Sequence, residues 1–193
     1  MICALDGSTR SREDRHAGTI CDAGTLRSDF LHAMRHAAAS VTVLTTDGPA
    51  GRGGVTVSAF CSLSADPPSV LACVHQASPV LKLIRENRRV CVNLLATDQT
   101  HVADSFAGRI AQWRSNRFAC AEWDEVENGA PQLRGALASF NCTLAGEMPF
   151  GSHYILIGRV EQVASSARGG LLYADRAYRH IGPLAPIQEE LYT

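Results

Sequence analysis

The sequence predicts a mainly β fold with short helices, an antiparallel barrel, and three observations carry that prediction. Runs of strand length recur from residue 40 to residue 181, joined mostly by turn chemistry. Residues 55–64 alternate almost strictly between apolar and small polar side chains, a period of two. Strands do not alternate regularly with long helices, so a doubly wound nucleotide fold is disfavoured.

Taken in order, residues 28–39 open on Ser28-Asp29 as a cap and continue with helix formers, with Phe30, Leu31, Met34 and Ala38 at helical spacing. A β-branched run at 40–46 is the first strand, closed by the Asp47-Gly48-Pro49 turn. The 55–64 strand puts Val55, Val57, Ala59, Cys61 and Leu63 on one face. Thr56, Ser58, Phe60, Ser62 and Ser64 fall on the other. Asp66-Pro67-Pro68 ends it, since proline gives no ladder donor. Residues 69–75 and 89–95 are further strands, and 78–87 between them is a helix with Ser78 at its cap and Pro79 at its first position. Thr97 caps a second helix over 98–106, and 107–132 is a turn-rich excursion. Two long strands, 135–147 and 152–164, meet at a turn over 148–151, and short strands at 171–174 and 178–181 complete the barrel.

The chain is read as a polar leader (1–24), one domain (25–185) and a short tail (186–193). With 193 residues and 46% apolar composition it can bury a substantial core. A formal net charge of −1 provides no long-range pull toward nucleic acid or an anionic membrane. No apolar run approaches the roughly 20 residues that span a bilayer. The leader lacks the basic start and apolar stretch of a secretory signal. Seven scattered cysteines without a C-x-x-C pair read as reduced thiols of a cytoplasmic protein. His32 and His36 lie four apart, but no glutamate accompanies them, so no metal site is expected.

Four features carry chemistry. The hydroxyl face of 55–64 is either a solvated strand face or a wall for a flat heteroaromatic ring. The glycines at 51, 53 and 54 beside it favour close approach of a ligand. They do not form G-x-G-x-x-G, and they precede a strand rather than a helix. Ser78-Pro79 is either a plain cap or an anion site at a helix N-terminus, with Lys82 one turn on. Asn93 inside a strand needs a specific partner, in the backbone or in a ligand. His153, after the Gly151 turn, is either a solvated residue or a group that orients a reactant.

The blocks FLHAMRHAAASVTVLTT, GVTVSAFCSLSADPPSVLACV, SPVLKLIRENRRVCVNLLATDQTHVADSFAG, NRFACAEW, GAPQLRGALASFNC, GSHYILIGRV and LLYADRAYRHI follow one another over residues 28–182. In that order they resemble the short-chain flavin reductases, the reductase components of two-component flavin-dependent monooxygenases. The resemblance implies a six-stranded antiparallel Greek-key split β-barrel, a homodimer, and flavin bound between barrel and partner subunit. It implies FAD or FMN as flavin, and NADH as hydride donor with NADPH the alternative. By position, Gly54, Val55, Thr56, Val57 and Ser58 border the flavin ring, and Ser62, Leu63 and Ser64 continue that wall. Ser78 meets phosphate. Asn93 and Phe106, Ala107 and Gly108 line the ribityl or dinucleotide path. His153 stands near the nicotinamide as the catalytic candidate, although Ser152 replaces the Asp that many members carry before it. Tyr173, Arg176 and Tyr178 help hold the dinucleotide. The implied activity is hydride transfer from nicotinamide to flavin, with reduced flavin supplied to a monooxygenase partner. A flavoenzyme that retains its FMN and a non-catalytic flavin or haem binder are the competing readings.

Overall fold

A computed structural model describes residues 23–127 and 129–182. The leader up to residue 22 and the tail from residue 183 lie outside the described residues, with Cys3 and Cys21. The chain divides into two compact units, Met1–Met34 and Arg35–Thr193. The described part of the first is the helix α1 (Ala23–Met34). It starts and ends five residues earlier than expected, so Ser28 and Asp29 sit in mid-helix rather than at its cap.

The second unit is built on a seven-stranded antiparallel sheet. Its strands are β2 (Thr42–Thr46), β3 (Gly53–Val57), β4 (Phe60–Ala65), β5 (Pro68–His75), β6 (Arg89–Leu94), β9 (Ala138–Phe150) and β10 (His153–Ser165), in the order β3-β2-β6-β9-β10-β5-β4. β3 and β4 occupy opposite ends of that order, yet only Ser58 and Ala59 separate them in the chain. Two residues bridge about 10 Å at most. The sheet therefore has to curl until its ends nearly meet, which is a barrel left open between β3 and β4. The 55–64 run supplies two strands rather than one, and this is why the barrel sheet has seven strands instead of six. The corner also divides the expected hydroxyl face: Thr56 belongs to β3, while Ser62 and Ser64 belong to β4.

β1 (Ala39–Ser40), β11 (Leu171–Ala174) and β12 (Ala177–His180) form a separate three-stranded sheet, so the C-terminal strands do not complete the barrel. β9 runs through Met148, Pro149 and Phe150, and the turn to β10 is only Gly151-Ser152, with Gly151 at φ 55°. A two-stranded piece, β7 (Trp123–Asp124) with β8 (Gln132–Leu133), lies in the excursion. Among the described residues no helix is long and apolar enough to cross a membrane.

The period of two sorts the core. Leu44, Val90 and Val92 join Val70, Ala72, Val74 and Leu156 inside the barrel, closed by Val80, Leu81 and Ile84 of α2 (Pro79–Asn87). Val41 and Val43 join a second cluster with Val102, Ala103 and Phe106 of α3 (Thr100–Phe106), and with Cys120 and Leu133 of the excursion. α3 is entered through Gln99 rather than Thr97. The Gln99 side chain accepts from the Ala96 N–H at 3.0 Å and donates to the Arg134 carbonyl at 3.1 Å.

Candidate functional site

β3 positions the site. Val55 and Val57 pack against the barrel core, so Gly54 and Thr56 turn the other way, toward α3. The Thr56 hydroxyl donates to the Ala103 carbonyl at 2.7 Å, tying strand to helix. Gly54 lies against Phe106: a Cβ there would stand 2.5 Å from Phe106 Cε1 and 2.8 Å from the Leu44 carbonyl oxygen. Its missing side chain serves this close packing. Two clefts open along the strand.

The first cleft, of about 390 Å³, is bounded by Arg52, Gly53 and Gly54, by Pro79, Val80 and Leu83 of α2, by Phe106, and by residues 114–118 of the excursion. Three guanidiniums line it. Arg52 lies 4.3 Å from the centre of the Phe118 ring and pairs with Glu125 at 3.1 Å. Arg117 donates to the Phe106 carbonyl at 3.1 Å. Arg114 is exposed and forms no ion pair among the described residues. The aromatic floor is fixed by Phe106, Phe118 and Trp123, whose ring centres lie 5.0–5.4 Å apart in edge-on contacts. The loop carrying Arg52 is held by Asn87, whose Oδ1 accepts from the Ala50 N–H and whose Nδ2 donates to the Gly51 carbonyl, each at 2.9 Å.

The second cleft, of about 190 Å³, follows at the other end of β3. Val41, Thr56, Val57, Ser58, Ala107, Arg109, Tyr173 and Tyr178 surround it. The two tyrosine rings stand edge to face, 5.5 Å apart. Tyr178 donates to Asp104 Oδ1 at 2.7 Å. Burial first, and then that bond, push the Tyr178 phenol up to about 12, so it remains a neutral donor.

The structure thus brings together Gly54, Thr56, Val57, Ser58, Phe106, Ala107, Tyr173 and Tyr178 of the expected residues. Gly108 follows at the end of α3 with φ 76°, and Val55 is core-facing beside them. Ser78 borders the first cleft through Pro79, and its hydroxyl does not cap α2. Other expected residues stand apart. Ser62, Leu63 and Ser64 are exposed on β4 and line neither cleft, because the corner at Ser58–Ala59 carries them to the other end of the sheet. Arg176 is exposed at the tip of the β11–β12 turn with φ 59°.

Asn93 is fully buried and all its hydrogen bonding is internal. Its Nδ2 donates to the Val43 carbonyl and Thr45 Oγ1, both at 3.2 Å. Its Oδ1 accepts from the Leu133 N–H at 2.8 Å and the Ser139 hydroxyl at 2.9 Å. Asn93 pins the excursion onto the sheet and does not line a ligand path.

His153 is exposed at the start of β10 and lines neither cleft. Its Nδ1 is 2.9 Å from the Ser152 hydroxyl, and its ring meets that of His75 on β5 edge to face at 5.1 Å. The Gln76 N–H donates to the Ser152 carbonyl, so the His153 turn is bound to the segment that leads through Ser78 to the first cleft. Sequence reasoning did not place Arg52, Arg117 or Asp104 in the site, because a single charged residue in a loop or on a short helix carries no periodicity to read.

A barrel of this fold belongs to a class already known from other proteins. Residues 34–182 match the model of the flavin reductase like domain, and the chain belongs to that family. It is 42% identical over 158 residues to the FMN reductase (NADH) RutF 1 of Methylorubrum extorquens, covering 81% of this chain and 77% of that protein. Among solved structures it resembles an NADH:FAD oxidoreductase of Streptomyces globisporus, solved with NAD and FAD fragments. There the TM-score is 0.74 at 28% identity, covering 81% of this chain and 93% of that one. It also resembles the styrene monooxygenase flavin reductase of Pseudomonas putida, with a TM-score of 0.71 at 26% identity, covering 81% and 99% of the two chains.

Proposed function

We propose that this chain is an NADH-dependent flavin reductase that holds the flavin ring in the second cleft and its phosphate at the arginines of the first. One observation carries the reading: the two clefts open in succession along one strand, an aromatic one beside Thr56–Ser58 and a cationic one beside Gly53–Gly54. The four steps from Gly54 to Ser58 advance about 13 Å, so one extended ligand can meet both. The donor set suits that ligand. Tyr173 and Tyr178 offer flat apolar faces, Arg109 offers a cation at the rim, and Arg114 is an exposed guanidinium for phosphate.

Bound flavin would supply the redox chemistry itself, accepting hydride from the nicotinamide. The protein's work is then orientation and charge. β3 fixes the plane of the ring, and Arg109 favours negative charge developing beside it. His153, reached through the Ser78 segment, assists at the nicotinamide end. The family-based reading of reduced flavin as a released product extends to this chain, with an oxygenase as its recipient, as in the styrene monooxygenase system of the Pseudomonas relative. The working form is a homodimer in the cytoplasm. Exposed Leu63 on β4, Met148 and Phe150 on β9 and Val163 on β10 provide apolar surface for the partner subunit.

The test is steady-state NADH oxidation with FMN, FAD and riboflavin as varied substrates. Saturable turnover of added flavin, with riboflavin poorer than FMN, is the expected result. No NADH consumption with any flavin would refute the activity.

A further inference from the structure

Asp104 of α3 is not part of either cleft lining, yet it holds two residues that are. Its Oδ1 accepts from the Tyr178 hydroxyl at 2.7 Å and from Arg109 Nη1 at 3.0 Å. The Arg109 backbone N–H also donates to the Asp104 carbonyl at 2.9 Å. Tyr178 belongs to β12 and Arg109 to the loop after α3, so one carboxylate oxygen joins two separate segments that wall the same cleft. Tyr178 in turn abuts the Tyr173 ring. Arg109 has 58% of its side chain exposed and would sample many rotamers without an anchor.

We propose that Asp104 is a positioning residue for flavin recognition: it sets the width of the aromatic cleft through Tyr178 and fixes the Arg109 cation at its rim. This rests on the reading that the second cleft takes the flavin ring. A wall already held in its binding conformation needs no ordering when the ligand arrives, and that preorganisation appears as affinity. Asp104 needs no contact with the ligand to exert it.

The experiment is a titration of FMN fluorescence quenching with the full-length wild type and with Asp104→Ala, Asp104→Asn and Tyr178→Phe/Arg109→Ala, each first checked for a cooperative thermal transition. Asp104→Ala should raise the FMN Kd roughly tenfold, the scale of one lost charge-assisted hydrogen bond. Asp104→Asn keeps the volume and one acceptor, so it should fall between, and it serves if the alanine variant does not fold. Adding Asp104→Ala to the Tyr178→Phe/Arg109→Ala background should change Kd no further, because the residues it acts through are gone. An unchanged Kd in a folded Asp104 variant, or an undiminished effect in that background, would overturn the proposal alone. Wild type that binds no FMN would instead overturn the reading on which it rests.

Discussion

Gly54 and Phe106 are in direct packing contact across the β3–α3 interface, with no room for even one added methyl between them. Gly54→Ala should therefore cost about 1–3 kcal/mol of stability through overpacking. It should also weaken flavin binding, since Phe106 floors the first cleft. Urea unfolding of the variant, followed by flavin titration of its folded form, measures both effects.

Asn93 ties the excursion to the sheet through the Leu133 N–H and the Ser139 hydroxyl. Asn93→Ala leaves those buried groups unpartnered and should cost about 2–3 kcal/mol. Amide exchange should accelerate at Leu133 in particular. An exchange rate at Leu133 like that of the wild type would mean that the excursion is held by other contacts.

His153 lies outside both clefts, so replacing it should leave flavin bound. Stopped-flow measurement of His153→Ala should show slower flavin reduction by NADH, with a flavin Kd within about twofold of wild type. Reduction at the wild-type rate would remove His153 from the mechanism.

Alkaline pH should destabilise the fold. Burial pushes the Cys142 thiol up to about 12, and Tyr178 is raised to about 12 by burial and by Asp104. In the unfolded chain these groups lose their protons near about 9 and 10. Between roughly pH 9 and 12 the unfolded state therefore binds fewer protons than the folded one, and stability falls as pH rises. Cys142→Ala should flatten that decline, as read from urea midpoints at several pH values.

Much of the barrel is written in local pattern. The 69–75 and 89–95 runs, the Ser78-Pro79 helix start and the two long strands all emerge from periodicity and turn residues. The corner at Ser58–Ala59 does not, because the alternation is broken there only by Phe60 and no glycine or proline marks the bend. That one missing signal joined β3 to β4 and put Ser62 and Ser64 on the same strand as Thr56. Tyr173 and Tyr178 entered through family resemblance, and their cleft exists only because a separate small sheet brings them to α3. Asp104, Arg52 and Arg117 gave no sequence signal at all: a carboxylate anchor and a solvated surface charge look alike until the segments fold together.

The most direct test is a crystal structure of the protein with FMN. The isoalloxazine ring is expected between Thr56–Ser58 and the Tyr173–Tyr178 wall, with phosphate near Arg114. Flavin seated elsewhere, with both clefts empty, would contradict the account.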